Sequence, residues 1–229
     1  MIILAMDMSG DRCTIGVGEK ERVLAESSVY ARMRHLPRVM PQIEYTLSQA
    51  GKRVQDIDLL CAVSGPGSWT GIRIAITMIK TFAHVLSIPC VTVGALDALA
   101  CNLQCDERNV YAIIDAARKQ VYCAGYSNHT GRPQPIDPPT LKNLDLFLSQ
   151  IISPAILVGD AIYVYPEIVQ YIQGKPIKTA SNLFNQVQIS HVIAMAYREF
   201  QQKGSADIYA LAPIYLQQTD AERNFKPKQ

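Results

Sequence analysis

A short apolar segment that ends in an aspartate and then turns into a second strand-like segment occurs twice in this chain. Residues 2–7 form the first such run, and residues 13–18 follow it after a polar turn. Residues 110–115 form the second run, and residues 121–126 follow after another short polar turn. A chain that opens each half with the same hairpin is expected to fold into two similar halves.

Hydrophobic periodicity predicts a similar order of elements in both halves. The predicted strands are residues 2–7, 13–18, 22–30, 58–63, 88–93, 110–115, 121–126 and 155–158. The predicted helices are residues 36–50, 71–86, 95–103, 141–151, 164–172 and 183–203, and residues 133–139 are interpreted as a proline-rich connection.

This order, three strands, helix, strand and helix in each half, predicts an α/β fold of the duplicated actin-like (ribonuclease-H-like, ASKHA) type. Each of its two lobes is built on a mixed sheet with flanking helices. We place the lobes at residues 1–104 and 105–229, and the last helix is a candidate for packing back on the first lobe.

Composition gives no strong charge signal. Of the 229 residues, 48% are hydrophobic and 18% are charged, and the net charge of +2 exerts no general attraction for nucleic acid or membrane. No apolar run approaches the roughly 18 residues of a membrane span, so we expect no membrane partner and a cytoplasmic location. The six cysteines lack CxxC spacing, which favours buried free thiols.

Asp7 and Asp115 end the first strand of each predicted lobe, where the hairpin faces the cleft between lobes. There they could hold a metal–phosphate complex, with polar groups of the turn such as Ser9 touching phosphate oxygens. Alternatively, each aspartate only caps its own turn. Asp11 weakens the first interpretation, because a second acid in the turn repels phosphate. The residues alone leave both interpretations open.

The Gly-Pro-Gly-Ser-Trp-Thr-Gly stretch at residues 65–71 resembles a phosphate loop in composition but lacks the lysine and the spacing of a Walker motif. We interpret it as a sharp turn from a buried strand into a helix, with Thr70 as the N-cap. An anion at the helix start, near Ser68, Thr70 and the free amides, is the alternative. Arg73 in the first turn would support that anion or pair with a carboxylate.

The helix predicted over residues 71–86 is apolar around most of its circumference. One apolar set docks it in its own lobe, while Ile74, Met78 and Val85 lie on another side. Such a helix is either internal or covered by a partner, and extra apolar residues on the helix over residues 36–50 favour a partner. The candidate interface comprises Leu36, Met40, Ile43, Arg73, Ile74, Thr77, Met78, Thr81 and Val85.

Side chains that carry catalysis are scarce. The four histidines show no metal-ligand spacing, and no GxSxG motif occurs. We therefore predict no catalytic residue, no metal site and no cofactor.

Five segments match the motifs of one known family in order. They are Asp-Met-Ser at residues 7–9, His-Leu-Pro-Arg-Val-Met-Pro at 35–41, Gly-Pro-Gly-Ser-Trp-Thr-Gly-Ile-Arg at 65–73, Ile-Ile-Asp-Ala-Ala-Arg-Lys-Gln-Val-Tyr at 113–122 and Pro-Ile-Tyr-Leu at 213–216. Together they resemble the TsaB (YeaZ) family, although Gln217 stands where that family usually has arginine.

The resemblance implies a part of the machinery that makes threonylcarbamoyladenosine in tRNAs reading codons that begin with A. It implies a non-catalytic dimerisation or scaffold subunit that binds the catalytic transferase TsaD, with the ATPase TsaE joining the assembly. It further implies a homodimer when the chain is alone, and contact with tRNA only through the complex.

TsaD carries two metal-binding histidines at positions that Ala95 and Leu99 occupy here, and neither of these side chains can ligate a metal. Two enzyme alternatives remain. One is an actin-like ATPase or small-molecule kinase that uses Asp7 and Asp115. The other is a metallopeptidase, against which Ala95 and Leu99 argue.

Overall fold

Each half of the chain builds a five-stranded mixed sheet. The structure is a computed structural model that describes residues 1–31, 36–104, 106–128 and 132–217. The first sheet consists of β1 (Ile2–Asp7), β2 (Arg12–Glu19), β3 (Arg22–Tyr30), β4 (Leu59–Val63) and β5 (Cys90–Val93). The second consists of β6 (Asn109–Asp115), β7 (Gln120–Ser127), β8 (Gln134–Asn143), β9 (Ala155–Val158) and β10 (Ile177–Thr179).

The two sheets have the same topology. The first has the order β3-β2-β1-β4-β5 and the second the order β8-β7-β6-β9-β10. In each, the first three strands of the half pair antiparallel and the last two join in parallel. The predicted duplication of a mixed-sheet α/β lobe is therefore confirmed.

Seven α-helices in the described residues cover the sheets in layers. They are α1 (Leu36–Gln49), α2 (Trp69–Leu86), α3 (Ala95–Cys101), α4 (Leu144–Ser149), α5 (Ala161–Val164), α6 (Pro166–Ile172) and α7 (Ile189–Lys203), with 3₁₀ turns at Val54–Asp56 and Asn182–Phe184. Helices α1 and α2 pack on the outer face of the first sheet, and α4, α5 and α6 pack on the outer face of the second. None of these helices is both long and apolar enough to cross a membrane.

The remaining helices, α3 and α7, lie between the two sheets. Helix α3 follows β5 but contacts β6 and β7, while α7 follows β10 but contacts all five strands of the first sheet. The last helix of each half therefore packs on the sheet of the other half. Their apolar residues share one central core with both sheets, so separating the lobes would expose that core to water.

The structure corrects several predicted elements in the second half. Residues 134–143 form strand β8 rather than a connection. Because β8 is an edge strand, prolines are tolerated in it. The short edge strand β10 was not predicted. Two predicted helices begin later than expected, α4 at Leu144 instead of residue 141 and α7 at Ile189 instead of residue 183.

The glycine-rich loop after β4 packs directly on the β1–β2 turn. The Ser68 backbone N–H donates to the Ser9 carbonyl at 2.6 Å. A Cβ on Gly71 would lie 1.9 Å from the Met8 carbonyl oxygen, so only glycine fits this approach. Thr70 is not the N-cap of α2. That role belongs to Ser68, whose hydroxyl accepts a hydrogen bond from the Gly71 N–H at 3.2 Å.

Replacing Gly71 with alanine is expected to destabilise the chain. The new methyl group would force the start of α2 away from the β1–β2 turn, at a cost of about 1–3 kcal/mol, the range for overpacking. Thermal unfolding measures this as a Tm lowered by several degrees. Gly10→Ala is the matched control, because a Cβ there meets nothing within 4 Å. Equal Tm changes in the two variants would contradict the close contact.

Candidate functional site

A cleft of about 540 Å³ lies between the lobes, where the β1–β2 and β6–β7 hairpins turn. Four of the five residues predicted from the sequence as nucleotide or anion contacts line it: Asp7, Ser9, Ser68 and Asp115. The fifth, Thr70, is exposed and is not part of the lining. The duplicated topology thus brings the two hairpin aspartates to one cavity.

In the first lobe, the Asp7 carboxylate is engaged by its own turn. Its Oδ1 accepts hydrogen bonds from the Ser9 backbone N–H at 2.9 Å and the Ser9 hydroxyl at 2.7 Å. Burial raises the pKa of Asp7, and the two bonds from Ser9 oppose that rise. The side chain is only 6% exposed, so its geometry is that of a turn cap.

The second lobe repeats this arrangement. Asp115 Oδ1 accepts from the Ala117 backbone N–H at 2.9 Å and from the Tyr165 hydroxyl at 2.6 Å. Asp160, at the end of the neighbouring β9, accepts from the Asp115 backbone N–H at 2.9 Å. Burial raises the pKa of Asp160 to about 6, and the nearby charges of Asp115 and Asp11 add to the rise.

The charge of this cleft is unfavourable for phosphate. Its lining contains four aspartates, Asp7, Asp11, Asp115 and Asp160, against one cationic side chain, Arg12. Within the described ranges, no group of three or more His, Cys, Asp or Glu side chains is placed to hold a metal ion. Among the described lining residues, Arg12 is therefore the one cationic side chain that offsets repulsion between the carboxylates and a polyphosphate.

The second candidate surface is α2, whose circumference divides into three stripes. One stripe is buried in its own lobe: Ile72, Ala75, Ile76, Ile79 and Ala83. A second lies under the segment that follows α7, residues 205–217, here called the C-terminal strap. The Ala206 N–H donates to the Cys90 carbonyl at 2.8 Å, and Lys80 Nζ donates to the Leu211 carbonyl at 3.2 Å. The strap thus covers one flank of α2.

The third stripe of α2 is left open by the described residues. At about 100° per residue, its members lie on the side away from Lys80 and the strap. They are Ile74, Thr77, Met78, Thr81 and Val85. Val85 is 70% exposed, Thr77 and Thr81 are exposed, and Ile74 and Met78 are half-buried.

Helix α1 lies beside α2 on the same face of the first sheet and adds exposed apolar side chains. Leu36 is 65% exposed and Met40 is 41% exposed, one turn apart. Ile43, by contrast, is 2% exposed in the core between α1 and the sheet, so it does not belong to the surface. We call the open stripe of α2 together with Leu36 and Met40 the α1–α2 face.

Arg73 lies at the edge of this face, where it joins the strap. Its Nε donates to the Tyr215 hydroxyl at 2.7 Å, and its guanidinium carbon lies 4.3 Å from the centroid of the Trp69 ring. The rings of Trp69 and Tyr215 are themselves stacked, with centroids 4.1 Å apart. These three side chains, here called the clasp, tie the start of α2 to the end of the strap.

The sequence analysis missed Asp160 and Tyr215. Asp160 carried a usable signal, because it comes two residues after the buried strand β9, much as Asp7 and Asp115 end theirs. Tyr215 lies in the Pro-Ile-Tyr-Leu motif at residues 213–216, but no local pattern indicated its contact with Arg73 across 142 residues of chain.

Two like sheets with a cleft between them define the class of actin-like proteins, and comparisons with known proteins give the family. A sequence model of the tRNA N6-adenosine threonylcarbamoyltransferase family, TsaD, matches residues 29–226. The tRNA threonylcarbamoyladenosine biosynthesis protein TsaB of Bacillus subtilis is 28% identical over 97% of this chain and 96% of its own length. TsaB of Escherichia coli is 31% identical over 55% of each chain.

A solved structure shares the fold. YeaZ from Pseudomonas aeruginosa superposes with a TM-score of 0.77 at 22% identity, over 94% of this chain and 99% of that one. The chain belongs to the TsaD family, on its TsaB (YeaZ) branch.

The residues do not fit the metal site that the resemblance ascribes to catalytic TsaD. Ala95 and Leu99, the residues that the resemblance matches to its two histidines, are 0% and 2% exposed and belong to the central core. Their side chains contain only carbon and hydrogen, so they offer no atom that binds a metal ion. No metal chemistry is derived for this position.

Asp160→Asn is expected to stabilise the chain at high pH. The pKa of Asp160 is raised from 3.8 to about 6 on folding, so the folded state binds this proton more tightly. The destabilisation by the ionised carboxylate is therefore present above about pH 6 and fades towards about pH 4. Since the amide oxygen can still accept from Asp115, we expect a Tm gain of about 2–4 °C at pH 8, corresponding to about 1 kcal/mol.

The same comparison at about pH 4.5 should show a smaller gain, because the wild-type carboxyl is then largely protonated. Glu107→Gln, which neutralises an exposed acid, is the control and should change Tm little at either pH. A gain from Asp160→Asn that does not depend on pH would show that charge is not its cause.

Proposed function

We propose that this chain is a non-catalytic subunit of the machinery that makes threonylcarbamoyladenosine in tRNA, and that it docks a TsaD-like catalytic subunit on its α1–α2 face. The observation that carries the docking proposal is the stripe of α2 away from the strap, where Val85 is exposed and Ile74 and Met78 are only half-buried against their own lobe. The biosynthetic assignment is supported by family membership and by the names of the Bacillus subtilis and Escherichia coli relatives.

The α1–α2 face has the properties of an interface centre. Exposed apolar side chains come from two helices on the same face of the first sheet, and the threonines of the α2 stripe carry no charge that would need desolvation. A partner that buries Leu36, Met40 and Val85 removes apolar area from water at about 25 cal/mol per Å². A pair of helices from the partner would match this surface by ridges-into-grooves packing.

The hydrogen bonds of the cleft carboxylates, and the apolar residues at Ala95 and Leu99, support a role without catalysis. The Asp7 and Asp115 carboxylates act as caps of their own turns, and Ala95 and Leu99, which the resemblance matches to the histidines of TsaD, are buried. In this proposal a TsaE-like ATPase joins the complex, tRNA is met only through the complex, and the chain homodimerises when alone. The net charge of +2 supports this arrangement, because it exerts little general attraction for the phosphates of RNA.

Val85→Asp and Met78→Asp should weaken the binding of purified TsaD at least tenfold, because each buries an unpaired carboxylate in the interface. Isothermal titration calorimetry measures the affinity, and tRNA modification with and without the chain measures the consequence. Val85 is already 70% exposed, so its replacement leaves the fold intact. Val169→Asp, at a 47% exposed position on α6, is the matched control and should bind like wild type. Wild-type affinity in both α2 variants would reject this docking face.

One observation favours a second candidate, an actin-like ATPase or small-molecule kinase. The cleft is large and brings Asp7 and Asp115 together from the two hairpins, as nucleotide sites of this fold require. Because four carboxylates line it, we expect the isolated chain to bind Mg-ATP with a Kd weaker than about 1 mM, equivalent to about 4 kcal/mol. Binding at micromolar concentrations that Asp115→Asn abolishes would favour the enzyme instead.

A further inference from the structure

The described lining of the cleft between the lobes carries more negative than positive charge. Asp7, Asp11, Asp115 and Asp160 face Arg12 there. The charge of Asp11, which belongs to the first lobe, adds to the rise in the pKa of Asp160 in the second lobe. Carboxylates from both lobes therefore act on the same space, and a ligand of complementary charge is cationic.

The same cleft also offers apolar and aromatic contacts. Two tyrosines line it, one from each lobe, and both are well exposed, Tyr30 at 57% and Tyr163 at 51%. Beside Tyr163, Val164 is 49% exposed, and Leu99 and Ile114 complete an apolar floor. Aromatic rings attract cations, and apolar side chains receive an apolar group. The cleft thus fits a ligand that combines positive charges with an aromatic side chain.

The strap ends beside this cleft. The Ile214 N–H donates to the Ser64 carbonyl at 2.8 Å, just before the glycine-rich loop. Gln217, where the described chain stops, accepts from the Tyr122 hydroxyl at 3.1 Å. Tyr122 lies opposite Ile114 in the β6–β7 register, so the two side chains are neighbours. Because Ile114 lines the cleft, the chain is delivered to its edge.

The sequence that follows the strap has the matching chemistry. Residues 218–229, here called the C-terminal tail, read Gln-Thr-Asp-Ala-Glu-Arg-Asn-Phe-Lys-Pro-Lys-Gln. Both acids fall in the first five residues, whereas residues 223–229 contain three cations, no acid and one aromatic side chain, Phe225. The cations are Arg223, Lys226 and Lys228. Six residues of extended chain span about 20 Å, enough to bring Arg223 from the end of the strap into the cleft.

We propose that the C-terminal tail of this chain lies in its own cleft, with the tail cations against carboxylates of both lobes and Phe225 on the apolar lining. This inference goes beyond the proposed function and does not depend on it, because it concerns the cleft and not the α1–α2 face. Its consequence is that the chain itself fills the cleft and competes there with any other cationic ligand.

The covalent connection makes weak contacts sufficient. Single ion pairs at an exposed site contribute little, so a free peptide with the tail sequence would bind only weakly. A segment tethered by a short linker, however, has an effective concentration on the order of 1 mM. A tail that binds with a Kd of about 0.1 mM would then occupy its own cleft about 90% of the time. A second copy would need a similar millimolar concentration to compete, which favours the tail of the same chain.

Cross-linking of the full chain tests the contact directly. A carbodiimide joins a lysine amine to a carboxylate that it touches, and mass spectrometry identifies the linked residues. We expect links from Lys226 or Lys228 to Asp11 or Asp115. Asp145, an exposed acid of α4 outside the cleft lining, is the control and should link rarely. Links to Asp145 as frequent as those to the cleft acids would overturn the proposal.

A mixture of nitrogen-15-labelled and unlabelled chains separates the two sources of a tail. If each chain holds its own tail, both halves of every cleft link carry the same isotope. Links that join a labelled tail to an unlabelled cleft in statistical proportion would show that a second copy supplies the tail, and would overturn the proposal as stated.

Hydrogen exchange gives a second, independent readout. Arg223→Glu/Lys226→Glu/Lys228→Glu reverses the tail charges in the full chain and changes no residue of the described fold. We expect exchange at least about threefold faster in the β1–β2 turn and in residues 160–164, because the carboxylates now repel the tail. Wild type in about 0.5 M salt should approach the variant, since salt screens these pairs. Lys178→Glu, which reverses an exposed cation outside the cleft lining, should exchange there like wild type.

Competition by a peptide closes the test. A fluorescent peptide of residues 218–229 should bind the charge-reversed chain at least about fivefold more tightly than wild type, whose own tail competes for the cleft. Fluorescence anisotropy measures both affinities. Equal binding to the two chains, or unchanged exchange in the charge-reversed chain, would overturn the proposal. None of these measurements involves TsaD, so their failure leaves the proposed function standing, and failure of the proposed function leaves them valid.

Discussion

The position of α2 depends on a contact between two backbone segments with no side chain between them. Gly71 sits against the Met8 carbonyl and the Ser68 N–H donates to Ser9, so the start of α2 is fixed to the β1–β2 turn. The same contact places Ser68 in the cleft lining. It also fixes the orientation of α2, and with it the direction in which the open stripe of α2 faces. The glycine-rich loop therefore connects the cleft to the proposed docking surface. Its glycines, which make it resemble a phosphate loop, are needed because the two backbone segments approach each other closely.

This geometry explains how a fold associated with ligand clefts can serve as a subunit. The hairpin aspartates remain, but their oxygens are engaged by Ser9, Ala117 and Tyr165, and the cleft carries an excess of carboxylates. Meanwhile α3 and α7, each packed on the sheet of the other half, make a shared central core. In the proposed function, two lobes joined by this shared core present the α1–α2 face to a partner.

The sequence predicted the duplicated fold because the signals involved are local. Each half begins with a strand–turn–strand pattern that can be recognised in the sequence, and apolar periodicity predicts most helices and strands. It failed at β8, where Pro138 and Pro139 read as a connection because an edge strand tolerates prolines that a central strand does not. It expected the two hairpin aspartates at the cleft, since strand ends meet at one edge of each sheet, and the structure places Asp7, Ser9, Ser68 and Asp115 in the cleft lining. The three residues of the clasp lie in two of the quoted motifs, but their contact was not predicted, because nothing local relates Arg73 to Tyr215.

The central claim is that the function of this chain lies in the α1–α2 face and not in the cleft. Hydrogen exchange of the chain with and without purified TsaD tests it directly, since it reports both surfaces in one experiment. The account predicts slower exchange in peptides that cover α1 and α2 on binding, with little change in the β1–β2 turn and in residues 160–164. Protection confined to the cleft-lining segments, with α1 and α2 unchanged, would contradict it.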